Sequence, residues 1–315
     1  MSDCRVFYQT QENELIDARM LYNPKKEQLK AVKKKRELSP KEKRIVFQKL
    51  RNQGSEKEVF EYRLGGHINM YYVKNKVLFN DLNIDISNIS RVLYLATYID
   101  WNSNKENLLV KPGQFNKSYP MTRRDMQILL GLADRTFTNF IKNIKDNNIL
   151  FEVSGMYYLN PDYFNKGKVK LKEKEYTRLY INTVRDLYAQ CEPRQHKQLS
   201  YLFKLIPKTH HLNNAIVHNP EEKDISNVKY MNLTDISNFL GLDSNNNNIT
   251  RLKRDLIKFH TTYDGLKRGV FKYITVEGTN SKYSYFVLNP VIAYSGSDFK
   301  VASDILKMCY FKDEK

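Results

Sequence analysis

The sequence predicts an α+β protein, with two tandem winged helix-turn-helix domains behind a basic, mostly helical N-terminal arm. Three observations carry that expectation. Residues 120–167 read in the order helix, tight turn, helix, hairpin, which is the order of a winged helix-turn-helix. The same order, with the same punctuating residues, returns in the second half of the chain. The formal net charge is +17 and the pI about 9.5, a field that attracts polyanions, nucleic acid first among them. At 315 residues and roughly 150 residues per domain, the chain has room for two domains. The expected partition is an arm over 1–56, a first domain with a small β extension over 57–170, and a second domain with a long wing and a C-terminal helix over 171–315.

The arm comes first. Between Pro24 and Arg51, twelve Lys and Arg stand against three Glu, a balance of +9 that includes the run Lys33, Lys34, Lys35 and Arg36. Two helices are expected, over 25–38 and 40–53. The second has Ser39 as N-cap, Pro40 in its first turn and Glu42 at the capping-box position, and Gly54 ends it. Such a segment either lies on phosphates or is a solvated basic surface. Residues 57–80 alternate like strands, broken at Gly65-Gly66 and near Asn75, and are expected to add a small sheet to the first domain.

The first unit opens with a helix over 88–100, followed by the short apolar run Leu108 to Val110. Thr122 and Asp125 form a capping box. Gly131 supplies a left-handed turn, and Asp134 is placed to cap a second helix from Arg135. Phe137, Phe140, Ile141 and Ile144 fall on one stripe of that helix and point inward. Arg135, Thr136, Thr138, Asn139, Lys142 and Lys145, with Arg123 from the helix before, occupy the outer side. Arg135, Thr138 and Asn139 lie where base edges are usually reached: Arg suits guanine O6 and N7, and Asn suits adenine N6 and N7. Residues 149–153 and 156–160 then form a hairpin about Ser154-Gly155.

The second unit repeats the first. Met231-Asn-Leu-Thr-Asp-Ile236 repeats the opening, Leu240-Gly-Leu242 repeats Leu130-Gly-Leu132, and Leu288-Asn-Pro290 repeats Leu159-Asn-Pro161. Upstream, Ile89, Val92, Leu93 and Ala96 match Leu199, Leu202, Phe203 and Ile206 as a first helix, and Ala215 to Val217 matches Leu108 to Val110. Its second helix faces inward through Ile249, Leu252, Leu256 and Phe259 and outward through Thr250, Arg251, Arg254 and Lys258. Lys253 joins these as a phosphate contact, and Lys267, Arg268, Lys272 and Lys282 are expected along a longer wing. A last amphipathic stretch, 298–311, packs back on this unit or on a second copy.

Catalytic grammar is missing. Cys4, Cys191 and Cys309 contain no CxxC pair, and the histidines form neither HxH nor HExxH. A rolling-circle nickase needs a His-hydrophobic-His pair and a tyrosine recombinase needs HxxR; neither is present. Without GxxxxGK[ST] or GxGxxG, nucleotide hydrolysis and dinucleotide binding also drop out. No cofactor or metal is implied, no run approaches the roughly 20 apolar residues of a membrane span, and the N-terminus lacks a signal-peptide core. The expectation is a cytoplasmic, non-enzymatic protein whose partner is double-stranded DNA, with self-association or a host replication or transcription protein open as a further partner. A nickase or recombinase with an unfamiliar tyrosine site, or a winged-helix scaffold for a host polymerase, is the alternative.

The pattern MTRRDMQILLGL, FTNFIKNIKDNNIL, MYYLNPDYFNKG over about residues 85–168 resembles the winged-helix region of RepL-type replication proteins of small Firmicute plasmids and related phage proteins. Their wing strand likewise ends in an LNP-x-x-F-x-K-G-like segment. The second unit departs from that pattern, with LNPVIAYSG in place of LNPDYFNKG. The resemblance implies sequence-specific binding at a replication origin or a phage control region, as an initiator or a transcriptional regulator.

Overall fold

A computed structural model of the chain describes residues 7–9, 15–17, 56–71, 83–100, 107–113, 117–166, 176–277, 282–296 and 298–309. It is a mixed helix and strand protein, consistent with α+β. The expected arm helices, with Lys33, Lys34, Lys35 and Arg36, lie outside the described residues. Near the N-terminus, where the polar sequence fixes no element, β1 (Phe7–Gln9) pairs antiparallel with β2 (Leu15–Asp17).

Residues 57–80 depart from expectation. Their beginning is a helix, α1 (Glu56–Arg63), which turns through Gly65 and Gly66, both at positive φ, into β3 (His67–Tyr71). The strand alternation read there is the buried side of a helix: Phe60 packs edge-on to Tyr180 and Phe299. Nor does α1 lie on the first unit. Arg63 pairs with Asp264 at 2.9 Å, and buried Glu61 is 3.7 Å from both His67 Nδ1 and Arg178 Nε.

The first unit then runs α2 (Ile86–Ala96), β4 (Val110–Pro112), β5 (Ser118–Pro120), α3 (Arg123–Leu130), α4 (Asp134–Asp146), β6 (Leu150–Val153), β7 (Met156–Leu159) and β8 (Phe164–Asn165). Asp85 caps α2 by accepting from the Ser87 N–H. The second half runs β9 (Tyr176–Tyr180), α5 (Ile181–Ala189), α6 (His196–Lys204), α7 (Leu233–Phe239), α8 (Asn246–Ile257), β10 (His260–Tyr263), β11 (Leu266–Gly269), β12 (Phe271–Glu277), β13 (Lys282–Leu288), β14 (Ala293–Tyr294) and α9 (Phe299–Met308).

The halves share their backbone hydrogen bonds position for position. Leu109 N–H donates to Tyr157 O and Met121 N–H to Leu109 O; Ile216 N–H donates to Phe286 O and Met231 N–H to Ile216 O. Each hairpin end is pinned by an asparagine, because Asn160 Nδ2 donates to Asn148 O and Asn289 Nδ2 to Gly269 O. A second pair, Asn107 and Asn214, holds a left-handed backbone (φ 65 and 54). Their amides donate to Phe164 O at 2.7 Å and Ala293 O at 2.8 Å.

A helix and a hairpin interrupt the correspondence between the halves. In the second, α5 intervenes between β9 and α6, and the hairpin β10–β11 intervenes between α8 and the main hairpin β12–β13. Asp264 and Gly265, both at positive φ, make its turn, as two-residue hairpins of the mirror-image type require. Lys267 and Arg268, expected along the wing, therefore sit on β11 instead.

A four-stranded sheet joins the halves in the order β14-β9-β3-β8, and α2 packs on α6 beside it. One apolar core runs through both halves, including Leu93, Phe140, Leu202, Phe203 and Phe286. A smaller one behind β12–β13 holds Val217, Val228, Val287 and Ile305, so the C-terminal helix packs within this chain.

Candidate nucleic-acid interface

The helix pairs α3–α4 and α7–α8 begin with the same kind of cap. Thr122 Oγ1 accepts from Asp125 N–H while the Asp125 carboxylate accepts from Thr122 N–H, and Asn232 and Asp235 do the same for α7. Each capping aspartate also meets a nitrogen-bearing side chain from the segment before it, Lys111 Nζ at 2.6 Å from Asp125 and His218 Nε2 at 3.4 Å from Asp235. Hydrogen bonds from Lys111 and Thr122 hold the Asp125 carboxyl down to about 2, so it stays ionised and complements the positive helix end. Gly131 and Gly241 close the two helices at φ 64 and 71, a conformation glycine adopts without the Cβ penalty.

In α4 the expected stripe Phe137, Phe140, Ile141 and Ile144 is buried; each such side chain contributes about 2 kcal/mol on leaving water. The helix starts one residue earlier than the sequence suggests. Ala133 occupies the cap position with no side-chain bond, and Asp134 accepts from Gln127 Nε2 instead. Arg135, Thr136, Thr138, Asn139 and Lys142 are all exposed on the outer face. Arg135 and Lys142 have no ion-pair partner among the described residues. Arg123 lies over the Phe137 ring at 5.1 Å and donates to Thr138 Oγ1 at 3.0 Å. Lys145 is half-buried and pairs with Glu152 of the hairpin.

The equivalent face of α8 is assembled differently. Leu252 and Leu256 are buried, Ile249 is half-buried, and Phe259 is buried just past the helix end. Thr250, Arg251 and Arg254 are exposed. Asp255 draws Arg251 (3.8 Å) and Lys258 (3.1 Å) toward itself, leaving Arg254 without an ion-pair partner among the described residues. Lys253 is not a solvent-facing cation. It is half-buried, with its ammonium 3.9 Å from the Tyr273 ring centroid, where it joins α8 to β12. Lys272 is exposed on β12, and Lys282 belongs to β13.

Asn246 and Asn247, absent from the expected site residues, are both exposed in the first turn of α8. The signal that finds them is the cap: Asn245 Oδ1 accepts from Asn248 N–H, which places the next residues on the helix. The exposed side chains of the two second helices are thus donors and amides with few carboxylates between them, a surface suited to phosphates and base edges. Among the described residues no group of His, Cys, Asp and Glu could hold a metal, and no helix is long and apolar enough to cross a membrane. Comparison of the chain with family models, curated proteins and solved structures found no significant match in any of the three.

Proposed function

We propose that this protein binds double-stranded DNA sequence-specifically through two winged helices, with α4 and α8 as the major-groove helices and β6–β7 and β12–β13 as the wings. It binds rather than catalyses, in the cytoplasm, and acts as a replication initiator or transcriptional regulator of plasmid or phage type, as the likeness to RepL-type proteins implies. The observation that carries the reading is the duplication. Two copies of the same capped helix-turn-helix and hairpin each turn an exposed polar and basic helix face outward, Arg135 to Lys142 in one and Asn247 to Arg254 in the other. A solvated helix needs no such repetition, and on a chain of net charge +17 the common purpose of both faces is a polyanion.

In this reading Arg135 and Asn139 read bases, whereas Lys142, Arg254, Lys258 and Lys272 meet phosphates. The decisive experiment selects bound duplexes from random DNA with the full chain, then measures affinity for the enriched motif. Enrichment of one motif, and its loss in the double variant Arg135→Ala, Asn139→Ala, supports the reading; no enrichment above scrambled duplex refutes it. Footprinting on source DNA then separates the two roles by location, over an origin or over a promoter operator.

A further inference from the structure

Two self-equivalent contacts define the relation between the halves. Phe164 and Ala293 stand at the same distance after Leu159 and Leu288, and they pair with Met70 and Leu179. Met70 and Leu179 are therefore counterparts, and so are Asn69 and Arg178, which pair with Asn165 and Tyr294. In the centre of the sheet Asn69 faces Arg178, while Ile68 faces Leu179 and Met70 faces Thr177. Each position thus pairs with its own counterpart or exchanges partners symmetrically about it. Between the first helices the same thing happens: Ser90 N–H donates at 3.0 Å to the hydroxyl of Ser200, its counterpart in the alignment of Ile89 with Leu199. Equivalent strands that pair antiparallel are related by a half-turn, since a translation would set them parallel.

From this we infer that the DNA target consists of two half-sites in inverted orientation and of unlike sequence, read by one chain. The inference rests on the DNA-binding reading above. A half-turn between two groove-reading helices presents them to opposite strand polarities, as in a two-fold dimer on a palindrome. Here the two helices are not identical. Counting from their caps, Ala133 and Asn245, Arg135 corresponds to Asn247, Thr136 to Asn248, Asn139 to Arg251 and Lys142 to Arg254. Arginine and asparagine prefer different bases, so the geometry of a palindrome reader carries the chemistry of an asymmetric site.

The test transplants one face onto the other. In the full chain, Asn247→Arg, Asn248→Thr, Arg251→Asn and Arg254→Lys are made together, and motifs are selected from random duplexes for this variant and for the parent. The parent is expected to enrich two unlike half-sites, one chain per duplex by light scattering. For the variant, one half-site persists and the other becomes its reverse complement, giving a perfect inverted repeat bound at least tenfold more tightly than the parent motif. A direct repeat, or a parent motif with a single half-site, overturns the inference while leaving DNA binding intact. A parent that enriches nothing defeats the DNA-binding reading itself. Should the variant not fold, the reciprocal set Arg135→Asn, Thr136→Asn, Asn139→Arg and Lys142→Arg asks the same question of the other half-site.

Discussion

Asn214 shows how much one residue can hold. It is wholly buried at φ 54, and its amide donates to both Leu288 O and Ala293 O. Asn214→Ala removes both donors and leaves a Cβ-bearing residue in a region asparagine tolerates better than alanine, so it is expected to cost about 3 kcal/mol. Asn214→Gly keeps the backbone while losing the bonds, and chemical denaturation should place it between alanine and the parent. Neither asparagine of this pair stands out in the sequence, where only the apolar run after it is conspicuous; a left-handed φ is not legible from composition. On the outer faces the side chains were easier to find. Arg135→Ala or Asn139→Ala is expected to lose about 1 to 3 kcal/mol of discrimination at one base position. Lys142→Ala should instead weaken binding to the motif and to scrambled duplex by the same factor. Lys253→Ala should act on stability rather than affinity, because its ammonium packs on Tyr273.

At the scale of elements, the packing of α2 on α6 carries a pH dependence. Arg91 Nε donates to His196 Nδ1 at 3.2 Å, which fixes that ring nitrogen as an acceptor. Burial, with the Arg91 charge beside it, lowers the ring to about 4 from the ordinary 6.5. The folded pKa lies below the unfolded one, so the unfolded chain takes up the proton first. The stabilisation is complete above about pH 6.5 and is lost as pH falls toward 4, about 3 kcal/mol over that window. Urea midpoints at pH 7.5 and 5 should diverge, and His196→Gln should reduce the divergence without abolishing it, since buried His67, at about 3, titrates in the same sense. The helices α3 and α7 were legible because each opens on a capping box and is followed by a left-handed glycine, α4 because its apolar stripe runs through thirteen residues, and the paired hairpin strands because turn residues separate them. What escaped was short. The hairpin β10–β11 was announced by Asp264-Gly265, a strong two-residue turn signal, but its strands offer the pattern only four residues each. For α1 the eight residues Glu56–Arg63 present too few turns to separate a helical period from an alternating one, and its partners Tyr180, Tyr263 and Phe299 lie far along the chain.

For the molecule as a whole, the proposed DNA binding divides between charge and geometry. The exposed faces of α4 and α8 contribute a handful of cations, whereas residues 24–51 carry +9 of the total +17. Affinity for a duplex falls with salt by about 0.9 logarithmic units per phosphate neutralised for each tenfold rise in concentration. Deleting residues 24–51 is therefore expected to weaken binding to every sequence and to make the salt slope shallower by about one unit for each phosphate that the arm no longer neutralises, while leaving the selected motif unchanged. The double variant Arg135→Ala, Asn139→Ala should do the converse, altering the motif while moving the slope by no more than about one. Fluorescence anisotropy on motif and scrambled duplexes across a salt series measures both at once. The two effects should also add, because the proposed reading assigns the arm to the diffuse phosphate field and the helix face to short-range base contacts. A deletion that left the slope unchanged would mean that the arm's cations meet no DNA, and one that changed the motif would make the arm a reader of sequence in its own right.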